Sequence, residues 1–345
     1  MSRTYAKSEA AARSLELVQA LQAHFVDSLE SIQRACGVKQ SLQRVEWLRG
    51  AGSKGGGDRF GSAGDAAFNR ASVNVSQVHY DDQPDKKLGS ATALSAIVHP
   101  RNPWAPSIHV HVSWTEYKSG EGYWRIMADL NPALPDDEDT AAFETALRAA
   151  APALYEKAVE EGERYFWIPS LERHRGVAHF YLEAYASEDP KADQELAEKV
   201  ARAAIDRYGA IVLDNLKKHA NPGEDEFSAQ LAYHTVYLFQ VLTLDRGTTA
   251  GLLVHDENDL GILGSLPAHV DSELLGSWQA GVSKPQEELV AQLVEALGEA
   301  NPAPVDDAAK KRLAQVLRDH YAKYPKALEL QASASQRPPS IENHK

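Results

Sequence analysis

From Ala71 to Asp129 four segments follow one another too closely for any helix to stand between them: ASVNVSQVHY, ALSAIVHP, SIHVHVSW and YWRIMADL. Each alternates apolar with polar residues or is rich in strand-forming ones, the mark of a strand with one face buried. A parallel neighbour needs a crossover of about a dozen residues or more, so these strands are expected to pair antiparallel. Such a sheet presents an apolar face that the rest of the chain has to cover.

The covering helices are legible on either side. Leu15, Val18, Leu21, Phe25, Leu29 and Ile32 recur at helical spacing, which predicts one amphipathic helix over 7–36. Further helices are predicted at about 140–165, 190–219, 224–234, 285–299 and 306–322. Strands are expected at RGVAHFYLEAY (175–185), VYLFQVLTLDRGTTAGLLV (236–254) and LGILGSL (260–266). The stretch GAGSKGGGDRFG at 50–61 lacks the Gly-Lys-Ser/Thr context of a phosphate loop, and reads as a flexible hairpin or active-site flap. The expected fold is α+β, one large antiparallel sheet flanked by helices on both faces. A polar, Pro-containing end at 333–345 is expected to be disordered.

A formal net charge of −13 without clustered Lys and Arg argues against nucleic acid as a partner. An anionic small molecule is still open to a cleft that gathers its own arginines. The single cysteine, Cys36, excludes an internal disulfide and a Cys-based zinc site. No apolar run reaches membrane-spanning length, and the N-terminal helix pattern has no signal-peptide core, so a cytoplasmic, soluble protein is expected.

The segment AIVHPRNPWAPSIHVHV (96–112), a strand, a His-Pro-x-Asn-Pro-x-x-Pro turn and a returning strand, resembles the hallmark of the oxygen-dependent coproporphyrinogen III oxidases. ASVNVSQVH (71–79), ADLNP (128–132), RGVAHFYLE (175–183) and LDRGTTAGL through ILGSLP (244–267) follow in that family's order. The resemblance implies an oxidase-like domain over 40–300, preceded by the helix region 1–39 and followed by a helical extension at 301–332. It implies an enzyme that converts two propionates of a porphyrinogen to vinyl groups with dioxygen as co-substrate and no organic cofactor, as a homodimer. By the same resemblance His109, Asp129, Asp245 and Arg246 are the catalytic candidates, with Ser95, Ser113, Arg175 and Tyr237 binding substrate and His99 in the conserved turn. The chemistry is apt, since a pyrrole N–H asks for an ionised acceptor and propionates ask for guanidinium forks.

The chain departs from the family at several of these positions. The pattern His-x-Asn-x-Arg reads His109-Val110-His111-Val112-Ser113, so an asparagine is a histidine and an arginine is a serine. A Gly-Gly-Arg-Thr-Glu-Ser stretch is replaced by HDENDLG at 255–261, and Arg-Gly-Ile-Gly-Gly by Arg175-Gly176-Val177-Ala178-His179. Residues two apart on a strand share a face, so His109, His111 and His179 are candidate ligands for iron or copper if their strands flank one cleft. A hydrogen-bonded histidine pair that moves protons is the rival account. The lost arginines put first an oxidase repurposed for a smaller carboxylate or aromatic substrate, with a metal bound by the new histidines as its aid. Next comes a coproporphyrinogen III oxidase, which the intact blocks favour, and last a porphyrin-binding protein without catalysis.

Overall fold

The computed structural model describes residues 2–338, 341 and 343. Its centre is a seven-stranded sheet in which every neighbouring pair is antiparallel. The strands β1 (Gln43–Leu48), β2 (Gly55–Ala63), β3 (Phe68–His79), β4 (Leu88–Pro100), β5 (Ser107–Tyr117) and β6 (Gly122–Asn131) run as a meander. After a short pair, β7 (Trp167–Ile168) and β8 (Arg173–His174), the strand β9 (Ala178–Tyr185) joins the free edge of β6.

Alternation along the strands sorts side chains between two layers. Val73 and Val75 of β3, Leu94 and Ala96 of β4, Ile108, Val110 and Val112 of β5, and Ile126 and Ala128 of β6 face one side, all buried. There they meet Leu21, Phe25 and Leu29 of α1 (Glu9–Ala35) and Val200, Ala204 and Tyr208 of α4 (Pro190–Lys218) in a single apolar cluster. Each large apolar side chain so buried contributes about 1.5–3 kcal/mol. The opposite face is polar along β3 to β6 and is roofed by α5 (Glu224–Thr243) and α6 (Arg246–Val254). Behind them, α5 builds a second core with α9 (Gln286–Leu297) and α10 (Asp307–Lys323), which follow the short helices α7 (Asp259–Ile262) and α8 (Ser272–Ser277). The pair β10 (His269–Val270) and β11 (Ala303–Pro304) ties this layer together.

Several expectations are corrected. The run 236–254 is not a strand but the second half of α5 and all of α6, and 260–266 is helical turn. Val236 to Thr243 are buried all round, and a continuously apolar run has no periodicity with which to declare its type. The expected helix at 140–165 is two, α2 (Asp137–Ala150) and α3 (Tyr155–Phe166), broken before Pro152, where Ala151 leaves helical geometry. Of the two readings of the glycine-rich stretch the hairpin holds and the flap does not: 50–54 turns β1 into β2, and β2, which contains Gly55, Gly56 and Gly57, is paired with β1 and β3. A Cβ at these positions would stand 2.1–2.3 Å from carbonyl oxygens of Gln77, Trp47 and Val75, so only glycine lets the three backbones approach.

Residues 333–338, expected to be disordered, are packed. Ala334 is buried in an apolar cluster with Met127, Tyr165, Phe166 and Tyr181, and the Ser335 amide donates to Glu161 Oε2 at 2.5 Å. Arg337 donates back to the carbonyls of Glu329 and Gln331. A polar composition did not prevent this, because the segment's backbone groups find partners on the body. Residues 339, 340, 342, 344 and 345 of that expected tail lie outside the described residues. Among the described residues no helix is long and apolar enough to cross a membrane.

Candidate active site

A cavity of about 220 Å³ lies between the polar sheet face and the α5–α6 roof. Its floor is made by Ser72, Asn74 and Ser76 of β3, Ser95 and Ile97 of β4, His109 and His111 of β5, and Arg125 and Met127 of β6. These are the alternate residues of each strand, so the parity that buries the valines on one side delivers the polar groups to the other. Tyr237 of α5, Asp245 at the start of α6, and Tyr165 of α3 close the roof and one end.

Asp129, His109 and Arg175 form one network. Asp129 is fully buried, and its Oδ2 accepts from Arg175 Nη2 at 2.8 Å and from Asn131 Nδ2 at 2.6 Å. His109 Nδ1 lies 3.1 Å from Asp129 Oδ1 and 3.2 Å from Arg175 Nη2. Burial alone would raise the Asp129 carboxyl, but the Arg175 guanidinium and His109 outweigh it and hold the group well below the usual carboxylate range. Arg175 in turn donates from Nη1 to Gln240 at 2.7 Å and is stacked between the rings of Phe166 and Tyr237. Arg175 also lines the cavity, its two Nη atoms holding Gln240, Asp129 and His109 while Nε has no partner among the described residues. His109 keeps Nε2 without a partner among the described residues, on the cavity wall.

Asp245 serves two ends at once. As the N-cap of α6 its Oδ1 accepts from the Thr248 amide at 2.6 Å, and its Oδ2 accepts from Tyr165 Oη at 2.8 Å while the side chain lines the cavity. Burial raises its carboxyl, the Thr248 and Tyr165 hydrogen bonds lower it more, and the balance lies below the ordinary value. Arg246, its neighbour in sequence, turns away from the cavity wall: Nη2 donates to the carbonyl of Pro338 and Nη1 lies 3.6 Å from Glu183 Oε2. His99 also supports from outside, with Nδ1 at 2.8 Å from Ser107 Oγ and its ring against Tyr237. Ser95 and Tyr237 stand on the wall as expected. Ser113 does not line it; its Oγ is 3.0 Å from His111 Nε2.

Arg125 is the residue the sequence reading missed. It is the direct cross-strand partner of Ser113, one strand over, and shares its face of the sheet. Its guanidinium enters the cavity, with Nη2 paired to Glu183 Oε1 and Nε without a partner among the described residues. Burial opposes its charge, yet Tyr181 and Glu183 keep it above the ordinary arginine value. The signal was available in YWRIMADL, where an arginine sits two and four places before Met127 and Asp129 on the same face.

The three histidines proposed as metal ligands do not converge. His109 and His111 line the cavity with ring centroids 6.4 Å apart. His179 lies under α3, where Gly162 packs so closely that a Cβ there would meet the His179 Cβ at 2.6 Å. Its Nδ1 is 2.7 Å from Glu163 Oε1 and its Nε2 donates to the Arg175 carbonyl at 2.7 Å, so neither nitrogen is free to ligate. Parity put His179 on the right face, but α3 covers that end of it. The place beside His109 Nδ1 is taken by the Arg175 guanidinium, which a metal cation cannot share. Burial, then Arg125 and His109, lower His111 to about 3, leaving a neutral ring hydrogen-bonded to Ser113. Among the described residues no cluster of three His, Cys, Asp or Glu side chains fits a metal ion.

The sequence model of the coproporphyrinogen III oxidase family matches residues 13–297. The chain is 30% identical over 285 residues to the oxygen-dependent coproporphyrinogen-III oxidase of Drosophila melanogaster, covering 75% of this chain and 71% of that one. It is 27% identical over 323 residues to the protein of that name from Prochlorococcus marinus, covering 82% and 88%. Against the mitochondrial protein of Rattus norvegicus it is 27% identical over 258 residues, 67% of this chain and 56% of the relative.

Proposed function

The chain belongs to the coproporphyrinogen III oxidase family, and on that premise we propose that it is an oxygen-dependent oxidoreductase that converts propionates of coproporphyrinogen III to vinyl groups. Each conversion releases the carboxylate as carbon dioxide and passes two electrons and a proton from the carbon beside the pyrrole ring to dioxygen. Asp245, ionised at the cavity wall, accepts a pyrrole N–H; His109, held by Asp129 and Arg175, moves a proton through Nε2. Both assignments rest on the family's motif and on placement in the cavity.

The observation that carries the reading over a smaller substrate is Arg125. The arginine missing at Ser113 argued against a polyanionic substrate, and a guanidinium from the opposite position on β6, its Nη2 paired to Glu183 and its Nε without a partner among the described residues, returns a donor to the same cleft. Losing one charge-assisted contact of this kind costs about 1.5–3 kcal/mol, a factor of ~10–100. Arg125→Met should therefore lower kcat/KM for coproporphyrinogen III by about that factor, with Arg125→Lys recovering part of it. Product analysis by chromatography after aeration of a reduced substrate provides the check. A folded protein that consumes no coproporphyrinogen III in air would reject the proposal.

One observation favours the reading of a smaller carboxylate or aromatic substrate. A cavity of about 220 Å³ is small beside the roughly 300–1,000 Å³ of pockets that hold drug-sized ligands. A tetrapyrrole enters only if the roof over 255–265 or the C-terminal segment yields.

A further inference from the structure

On the far side of the 259–265 segment from the active-site cavity lies a second cavity of about 510 Å³, beside the β1–β2–β3 edge of the sheet. Gly264 faces it while Ser265 faces the first, so one turn of chain divides the two. Three cationic side chains line it, each from a different element: Arg59 of β2, Arg70 of β3 and Lys310 of α10. The arginines are aimed by backbone carbonyls. Arg59 Nη1 donates to Leu260 O at 2.7 Å, and Arg70 donates from Nε to Leu266 O at 3.0 Å and from Nη2 to Val305 O at 3.4 Å. Such bonds fix direction but leave the positive charge without a counter-ion.

Lys310 is the most telling of the three. Its side chain is 5% exposed, yet its ammonium reaches only Asp307 Oδ1, at 3.5 Å, among the described residues. An ammonium has three protons to donate, and burying it so sparsely paired is costly. Burial lowers it from its ordinary value, and Arg70 and Arg59 lower it further. The carboxylates nearby do not balance the three cations. Two carboxylates, Asp65 and Asp307, face three cations: Asp307 is 72% exposed, and the oxygens of Asp65 are turned to Gln33, Ser62 and the amides of Ala67 and Phe68 rather than to the arginines.

We propose that this cavity binds a small multivalent oxyanion, of the phosphate or polycarboxylate kind, at a site separate from the active-site cleft. Arg59, Arg70 and Lys310 supply its donors, and the anion completes the shell of Lys310. The proposal stands independently of the oxidase reading.

Calorimetric titration of the full chain with inorganic phosphate and with citrate, in a low-salt buffer free of other multivalent anions, tests it. One site is expected, weakened about tenfold or more by Lys310→Met and by Arg59→Gln, since each removes a charge-assisted contact. Lys310→Met should melt no lower than wild type in that buffer, because it removes a buried like charge. Absence of binding for both anions overturns the proposal. So does binding that both variants leave unchanged, or binding that Arg125→Met abolishes while Lys310→Met spares, which would put the anion in the cleft.

Discussion

Asp129 shows how much of a residue's role depends on its neighbours. The Ala-Asp-Leu motif marks it as a candidate, but its charge state is decided by Arg175 and His109, one from beyond the sheet's edge and one from the adjoining strand. Its folded pKa lies below the unfolded value of about 3.9. The ionised carboxylate therefore stabilises the fold at every pH above that value, and the contribution is lost as pH falls toward the folded pKa. Melting temperatures of wild type and Asp129→Asn should differ most above about pH 4 and converge as the pH is lowered toward about 2.5. A gap that stays constant over this range would show that the coupling is not there. The histidines teach the converse. His111 and His179 look alike as departures from the family, yet one lines the cavity and the other is sealed by Glu163 and a backbone carbonyl.

At the scale of elements, parity carried far and stopped where packing took over. The alternating strands β3 to β6 were read correctly, and with β5 the placement of His109 and His111 on one face. The helices α5 and α6 were misread because burial on all sides erases the pattern that separates helix from strand. How α3 lies on β9 depends on Gly162, and through α3 so does Tyr165, which binds Asp245. Gly162→Ala forces a methyl into the His179 Cβ and should destabilise the protein by about 1–3 kcal/mol. Thermal melting would register the loss, and an unchanged midpoint would mean that the helix can lift without cost.

For the whole molecule, the C-terminal segment changes what the cleft can admit. It packs Ala334 against Met127 and Tyr165, two residues of the cavity wall, and gives Arg246 a backbone acceptor at Pro338. A variant ending at Ala332 keeps the Gln331 and Ala332 hydrogen bonds but removes these contacts. It should melt at lower temperature and show an equal or lower KM for coproporphyrinogen III. A raised KM would make the segment part of the binding wall instead. A second expectation concerns assembly. The outer strand β1 is largely exposed, with Val45 at 45%, and a sheet edge of this kind is commonly paired or covered. A homodimer is therefore expected in light scattering, and a monomer mass at micromolar concentration would reject it.

By itself the sequence determined five of the seven sheet strands, β3 to β6 and β9, the antiparallel sense of β3 to β6, most of the long helices and the family to which the blocks from 71 to 267 belong, because period and turn chemistry are local properties. Through the family's motifs it also named six of the residues that line the cavity, Ser95, His109, His111, Arg175, Tyr237 and Asp245. Tertiary structure alone decided how the named residues are held: Arg246 turns to Pro338 and Glu183, whereas His109, Arg175 and Asp245 line the cavity, each within its own hydrogen bonds. It alone brought Arg125 opposite Ser113 and folded 333–338 onto the cleft, because cross-strand register and long-range packing join residues whose spacing along the chain carries no period.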